Sequence, residues 1–310
     1  MAKRISVINF KGGVGKTSLA LHLGCYIARF ISNSKVLLVD VDHQSSLSIV
    51  CLDPGRWEER CEAGLTVDRI FSSYTQAQPL PGNDIIYADP FDDTYPNLDL
   101  LPAQLELDNT EIDLAGTTFR NAISSEWAKR TLLCKWLQTS GADNLYTHII
   151  FDCPPATKLV SQNSIAASHY YVLPVIPDAV SSRGVTHFRS LVKDRIDSKL
   201  AALAAAVSAN EIPSTYVPTT SFGGIVISMA KTHGPAASGY INEHTQHMEA
   251  LRRRYGNDVL TNTIDFMAGF PESLSRGWPV FDQQWNPNVT NRHLDKMMMD
   301  VCGELIQRMP

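Results

Sequence analysis

Residues 5–19 read Ile5-Ser6-Val7-Ile8-Asn9-Phe10-Lys11-Gly12-Gly13-Val14-Gly15-Lys16-Thr17-Ser18-Leu19. A short apolar strand runs into a glycine-rich turn and then into the start of a helix. Glycines let a backbone curl until successive N–H groups face one anion. The helix that follows adds the positive end of its dipole. Lys16 places a charge where β- and γ-phosphates would lie, and the Thr17 hydroxyl suits Mg²⁺. The stretch Lys11, Gly12, Gly13, Val14, Gly15, Lys16, Thr17 and Ser18 is therefore the expected nucleotide-binding loop. The common pattern G-x-x-x-x-G-K-[ST] is not met, because Phe10 stands at its first glycine. A second lysine, Lys11, sits inside the loop instead.

Two further apolar runs end in carboxylates. Lys35 to Asp40 reads as a strand buried on both faces of a parallel sheet, followed by Val41-Asp42-His43-Gln44. His148 to Asp152 repeats the arrangement and is followed by Cys153-Pro154-Pro155. Ligands of open α/β sheets sit beyond the carboxyl ends of strands, so Asp40, Asp42 and Asp152 are placed to serve Mg²⁺ and water. The expected Mg²⁺ set is Thr17, Asp40 and Asp152, the last through water.

The loop Lys11-Gly-Gly-Val-Gly-Lys16-Thr17 resembles the deviant phosphate loop of the ParA/MinD family of ATPases, closest to the ParA partition ATPases. The resemblance extends to Asp40-x-Asp42-x-Gln44, to Asp152-x-Pro-Pro and to Pro102-Ala103 after a third apolar strand. It implies that Lys11 reaches across a dimer to the phosphates of the partner subunit, and that Asp40 positions or activates the attacking water. Lys11, Lys16 and Asp40 are then the catalytic set. His43 departs from the family's proline, and Asp265-Phe266-Met267 departs from its adenine-side Ile-Pro-Arg-Asn. The resemblance covers residues 3–52 and 97–310 and is absent over 53–96.

The 310-residue chain has 44% hydrophobic and 19% charged residues, which are globular values, and a net charge of −5. The fold implied is a doubly wound α/β domain with a mainly parallel sheet and helices on both faces, spanning 1–310. Residues 53–96, with a turn at Asp53-Pro54-Gly55 and several prolines, read as an elaborated surface connection. A helical region is expected over 105–137, a helix over 182–206, a strand over Thr261–Asp265 and a core helix over His293–Met309. The six cysteines form no C-x-x-C pair, so zinc and redox chemistry have no support. No apolar run reaches the ~18 residues of a membrane span, and no leader precedes the first strand, so a cytoplasmic, nucleoid-associated protein is expected.

The resemblance implies a Mg²⁺-dependent ATP hydrolase with weak intrinsic turnover, which dimerises with ATP and is stimulated by a ParB-like or other activator. Plasmid, chromosome or another cargo would be partitioned or positioned. The dimer would hold DNA without regard to sequence, and no N-terminal extension suggests operator reading. Arg189, Lys193, Lys231 and Arg252 are the expected DNA contacts, within a wider basic group that includes Arg183, Arg195, Lys199, Arg253 and Arg254. Against this, the polar run 283–291 replaces a stretch that is often basic in the family. A MinD-like membrane switch is the alternative, disfavoured by Asp295, Asp300 and Glu304 on the last helix. A metal or cofactor enzyme on the same fold, such as a nitrogenase iron-protein relative or an amidoligase, is the other. It would need cluster cysteines or substrate and glutaminase machinery that the sequence does not display.

Overall fold

A computed structural model describes every residue except 120, 156–157, 234–238 and 285–291. The chain begins β1 (Lys3–Val7), α1 (Lys16–Phe30), β2 (Val36–Asp40), α2 (Ser46–Cys51), α3 (Pro54–Glu62), α4 (Asp68–Thr75), β3 (Tyr87–Ala88) and β4 (Leu98–Leu101). It continues with α5 (Leu107–Gly116), α6 (Ala122–Arg130), α7 (Leu132–Thr139), α8 (Ala142–Leu145), β5 (His148–Asp152), α9 (Leu159–Ala167) and β6 (Tyr170–Val175). It ends with α10 (Ala179–Ser190), α11 (Ser198–Ala206), β7 (Ser221–Ile227), α12 (Asn242–Tyr255), α13 (Gly269–Ser275) and α14 (Arg292–Arg308).

Among the described residues the strands form one sheet in the order β3-β4-β2-β5-β1-β6-β7. Every pairing is parallel except the two-residue β3 against β4. Parallel neighbours need crossover connections, and helices supply them on both faces. β1 lies inside the sheet, between β5 and β6, and β5 separates it from β2. This puts the carboxyl ends of β1, β2 and β5 side by side. In register, Asp152 stands opposite Val7 on one side and Asp40 on the other.

Strand side chains alternate between faces. Leu37, Val39, Ile149 and Phe151 join one apolar cluster, with Trp127 and Trp136. Val36, Leu38 and Ile150 join the other, with α1 and α14. Gly24 lets α1 approach β2, since a Cβ there would meet Leu38 Cδ2 at 2.6 Å. The last helix is a core helix, as expected: Leu294, Met298, Val301 and Leu305 are fully buried. All six cysteines are free thiols, five of them buried.

Three expectations are corrected. The segment 53–96 lies only partly on the surface: α3 buries none of its residues, but other parts reach the interior. Val67, Ile70, Phe71 and Ile85 are fully buried in the first cluster, and Phe91 and Tyr95 are buried in the second. Each such side chain contributes about 1.5–3 kcal/mol. Within it, Asp53-Pro54 is not a loop turn but a helix start. The Asp53 carboxylate accepts from Arg56 N, and Pro54 sits where a helix needs no N–H. The helical region expected after β4 is present, divided into three helices, the second begun by Asn121, whose side chain accepts from Ser124 N. Thr261–Asp265 forms only an isolated bridge, because Thr261 N and Asn262 N donate to the Glu304 carboxylate instead of to a strand.

The long helix expected over 182–206 is also more complex. Between α10 and α11 the residues Leu191–Asp197 adopt π-helical hydrogen bonding, a rare form that widens the helix. Asp197, buried in that segment, has its carboxyl pushed up to about 6 by burial, against the Thr220 amide that favours the charge. The folded value exceeds the unfolded one, so the native state binds more protons between about pH 4 and 6, and stability falls as pH rises through that window. Asp197→Asn keeps an acceptor for the Thr220 amide and removes the buried charge. It is expected to raise the melting temperature at pH 8 and leave it unchanged at pH 4. Equal shifts at both pH values in a thermal scan would contradict this account.

Candidate functional site

The loop after β1 is held open. Gly13 and Gly15 take positive φ values of 70° and 85°. A Cβ on Gly12 or Gly13 would meet nothing within 4 Å, so the cradle is empty space bounded by backbone. Gly15 caps α1 with no side chain, and the first turn carries no acid, so its N–H groups are left for an anion. Val14 is buried, and its carbonyl accepts from Ser228 Oγ at 2.8 Å, which anchors the loop to the end of β7. On α1, His22 Nδ1 donates to Ser18 O while Nε2 accepts from Val280 N. Burial holds that imidazole down at about 4, so it stays neutral and ties the helix to the 277–282 loop.

Lys16 is 7% exposed and folds over the loop, with Nζ donating to Lys11 O at 3.3 Å. Burial lowers its pKa, while Asp152 and Asp42 work to keep it charged. Asp152 is the informative partner. Both of its oxygens are buried without a partner at hydrogen-bond geometry. Burial pushes its carboxyl well above the usual range, and Asp40 and Asp42 add to the rise; the Thr17 hydroxyl and Lys16 pull the other way. An orphaned buried carboxylate beside a lysine, a threonine and an open anion cradle has the donors that a hard divalent cation and a polyphosphate require. Thr17 and Asp152 are the residues fitted to such a cation.

Asp40, expected to position the attacking water and to serve Mg²⁺, stands beside Asp152 in register and is hydrogen-bonded on both oxygens. One oxygen accepts from Asp42 N at 3.1 Å; the other accepts from Ser48 N and Ser48 Oγ at 2.9 and 2.7 Å. Ser48 Oγ in turn accepts from Ala103 N at 2.8 Å. The carboxylate therefore clamps the 41–48 turn to the end of β4. Burial pushes it up to about 7, against the bonds from Ser48 and Asp42. Asp42 is the freer acid: its Oδ1 accepts from Gln44 N at 3.0 Å and lies 3.7 Å from His43 Nδ1.

Lys11 points away from its own loop. Its Nζ lies 2.5 Å from Asp178 Oδ2. Burial pushes the Asp178 carboxyl up, but the Lys11 ammonium and the Ser181 groups outweigh it and hold it below its ordinary value. Asp178 escaped sequence reasoning, although its place after β6 and before a helix is an N-cap signature. Asn9 was missed too. Its side chain accepts from Lys11 N and donates to Pro174 O, which carries the loop onto β6.

The basic group divides. Arg189 is committed within the subunit: its guanidinium lies 2.5 Å from Asp258 and 4.4 Å from the Phe222 ring centroid. Arg252 donates to Thr261 O at 3.3 Å but stays exposed. Lys193, Arg195, Lys231, Arg253 and Arg254 are exposed. The side chain of Arg183 and residues 285–291 lie outside those described. Thr186 on α10 shares a 2.6 Å bond with Tyr255 on α12, so both basic helices occupy one side of the molecule.

Comparisons with known proteins agree with this geometry. The family model AAA_31, described as an AAA domain, matches residues 2–204. The sporulation initiation inhibitor protein Soj of Bacillus subtilis is 33% identical over 197 residues, covering 62% of this chain and 66% of that protein. The chromosome partitioning protein ParA of Caulobacter vibrioides is 27% identical over 276 residues, covering 89% and 85%. Among solved structures, the ATP complex of a Cyanothece McdA variant shares the fold with a TM-score of 0.70 at 17% identity, covering 99% of this chain and 96% of that one. The lysine-rich glycine loop, the carboxylates at neighbouring strand ends and the matched relatives converge: the chain belongs to the ParA/MinD family of P-loop ATPases.

Proposed function

We infer that this protein is an ATP-hydrolysing switch of the partition or positioning kind, with ATP and Mg²⁺ as cofactors. The observation that carries the reading is the orphaned Asp152 carboxylate facing Lys16 and Thr17 across an open cradle. The cation, when bound, neutralises charge on the transferred phosphoryl group. The loop N–H groups and Lys16 bind and orient the phosphates. Thr17 and Asp152 would hold the cation. Asp42, the less committed of the two acids after β2, orients the attacking water, and Asp40 fixes the turn that carries it. Lys11 serves the phosphates of a second subunit, so ATP bridges a homodimer.

The dimer binds DNA nonspecifically through Lys193, Arg195, Lys231 and Arg252–Arg254, in the cytoplasm on the nucleoid. An activator protein stimulates hydrolysis. Single-subunit contacts of this kind give dissociation constants on the order of 10⁻⁴ to 10⁻⁶ M, and a dimer makes the second half of the contact effectively intramolecular. The membrane alternative loses support, because the apolar face of α14 is already buried against α1 and β7. No described helix is long and apolar enough to cross a membrane.

Sedimentation and duplex binding test the reading together. Lys11→Ala is expected to retain ATP binding and lose ATP-dependent dimerisation and hydrolysis. The wild type is expected to bind random duplex DNA only with ATP, with affinity falling steeply between low and moderate salt. Lys193→Glu with Lys231→Glu should remove DNA binding and leave the dimer intact. An ATP-bound wild type with no affinity for duplex DNA at low salt would move the matrix to another protein or a surface.

A further inference from the structure

The phosphate loop is docked onto α10 by the two residues that break the usual pattern. Phe10 meets Phe188 edge-on with ring centroids 4.7 Å apart and His187 at 5.6 Å. Lys11 Nζ reaches Asp178 Oδ2 at 2.5 Å and Ser181 Oγ at 3.5 Å. The other oxygen of Asp178 accepts from Ser181 N at 2.7 Å and caps the helix. One carboxylate therefore does two things: it starts α10, and it holds the loop lysine against its own subunit. Next to it, Val180 is 72% exposed on the first turn of the helix.

We propose that the Lys11–Asp178 pair is an intramolecular latch, which keeps Lys11 from a second subunit until the phosphates bound there displace Asp178. This rests on the two-subunit reading of ATP binding given above. A single ammonium cannot serve both partners. A triphosphate offers more negative charge than one carboxylate, so it wins when present and Asp178 wins when it is absent. The latch thus sets the ATP concentration at which subunits associate. The Lys11 and Asp178 side chains are 38% and 25% exposed, which places the pair among the weaker, solvent-screened ones. Its removal should therefore shift the threshold modestly, by about threefold, and not abolish the transition.

Asp178→Asn is the discriminating variant, because asparagine caps helices as well as aspartate does while carrying no charge for Lys11. Circular dichroism melts verify that the fold is kept. Two readouts are taken. In nucleotide-free protein, acetylation of Lys11 relative to exposed Lys193, followed by mass spectrometry, should rise about threefold in the variant. In sedimentation with increasing ATP, the variant should reach half-dimerisation at about one third of the wild-type concentration. Unchanged Lys11 labelling, or a midpoint that stays or rises, overturns the latch. A wild type that never dimerises with ATP defeats the two-subunit reading instead, and increased labelling in Asp178→Asn would still establish that Asp178 restrains Lys11.

Discussion

Lys16→Ala is expected to abolish measurable ATP binding. In the folded chain the Lys16 ammonium is the cation at the centre of a site that otherwise holds the buried acids Asp42 and Asp152. Charge-assisted bonds of this type are worth roughly 1.5–3 kcal/mol each. Losing two of them to a polyphosphate would weaken affinity by about 100-fold or more. The repulsion left behind adds to the loss, since the buried carboxylates would then face the phosphates with one cation fewer. Isothermal titration with ATP and Mg²⁺ measures the effect. An affinity within a few-fold of wild type would remove the phosphate site from this loop altogether.

The second large effect separates the two acids after β2. Asp40→Ala leaves the Ser48 amide, the Ser48 hydroxyl and the Asp42 amide without their acceptor. Unsatisfied buried donors cost about 1–3 kcal/mol apiece, so a loss of roughly 3–5 kcal/mol is expected. For a chain of this size that lowers the melting temperature by about 10 °C. Asp42→Ala forfeits one bond from Gln44 N and should melt near wild type, yet it should lose hydrolysis while binding ATP normally. A scan showing Asp40→Ala as stable as wild type, or an Asp42→Ala protein with full turnover, would return the chemistry to Asp40.

The strand, loop and helix at residues 5–19 were legible because their order is itself the mechanism. The ends of β2 and β5 were legible as places, since apolar runs that stop at an aspartate put it at the carboxyl edge of a parallel sheet. Which oxygen is free was not legible. Ser48, eight residues beyond Asp40, decides it, and no spacing rule announces that bond. The intramolecular partner of Arg189 was not legible for a related reason. Residues four apart share a face only in an α-helix, and Leu191–Asp197 is π-helical. Arg189 is taken by Asp258, 69 positions away in sequence. Prolines over 53–96 suggest breaks in the chain, whereas Pro54 begins a helix.

That last segment changes how the chain can be taken apart. Two of the described apolar clusters, one on each side of the sheet, draw side chains from residues 53–96. Trp57 Nε1 also donates to Ala103 O, at the carboxyl end of β4. A stretch that shares its interior with the catalytic half cannot be exchanged between relatives as a cassette. Whatever sequence occupies it must fill the same volume and meet the same neighbours. Variation there is therefore constrained by packing even where the family motifs are silent, and a chimera made at its ends would inherit a hollow core before it acquired a new partner.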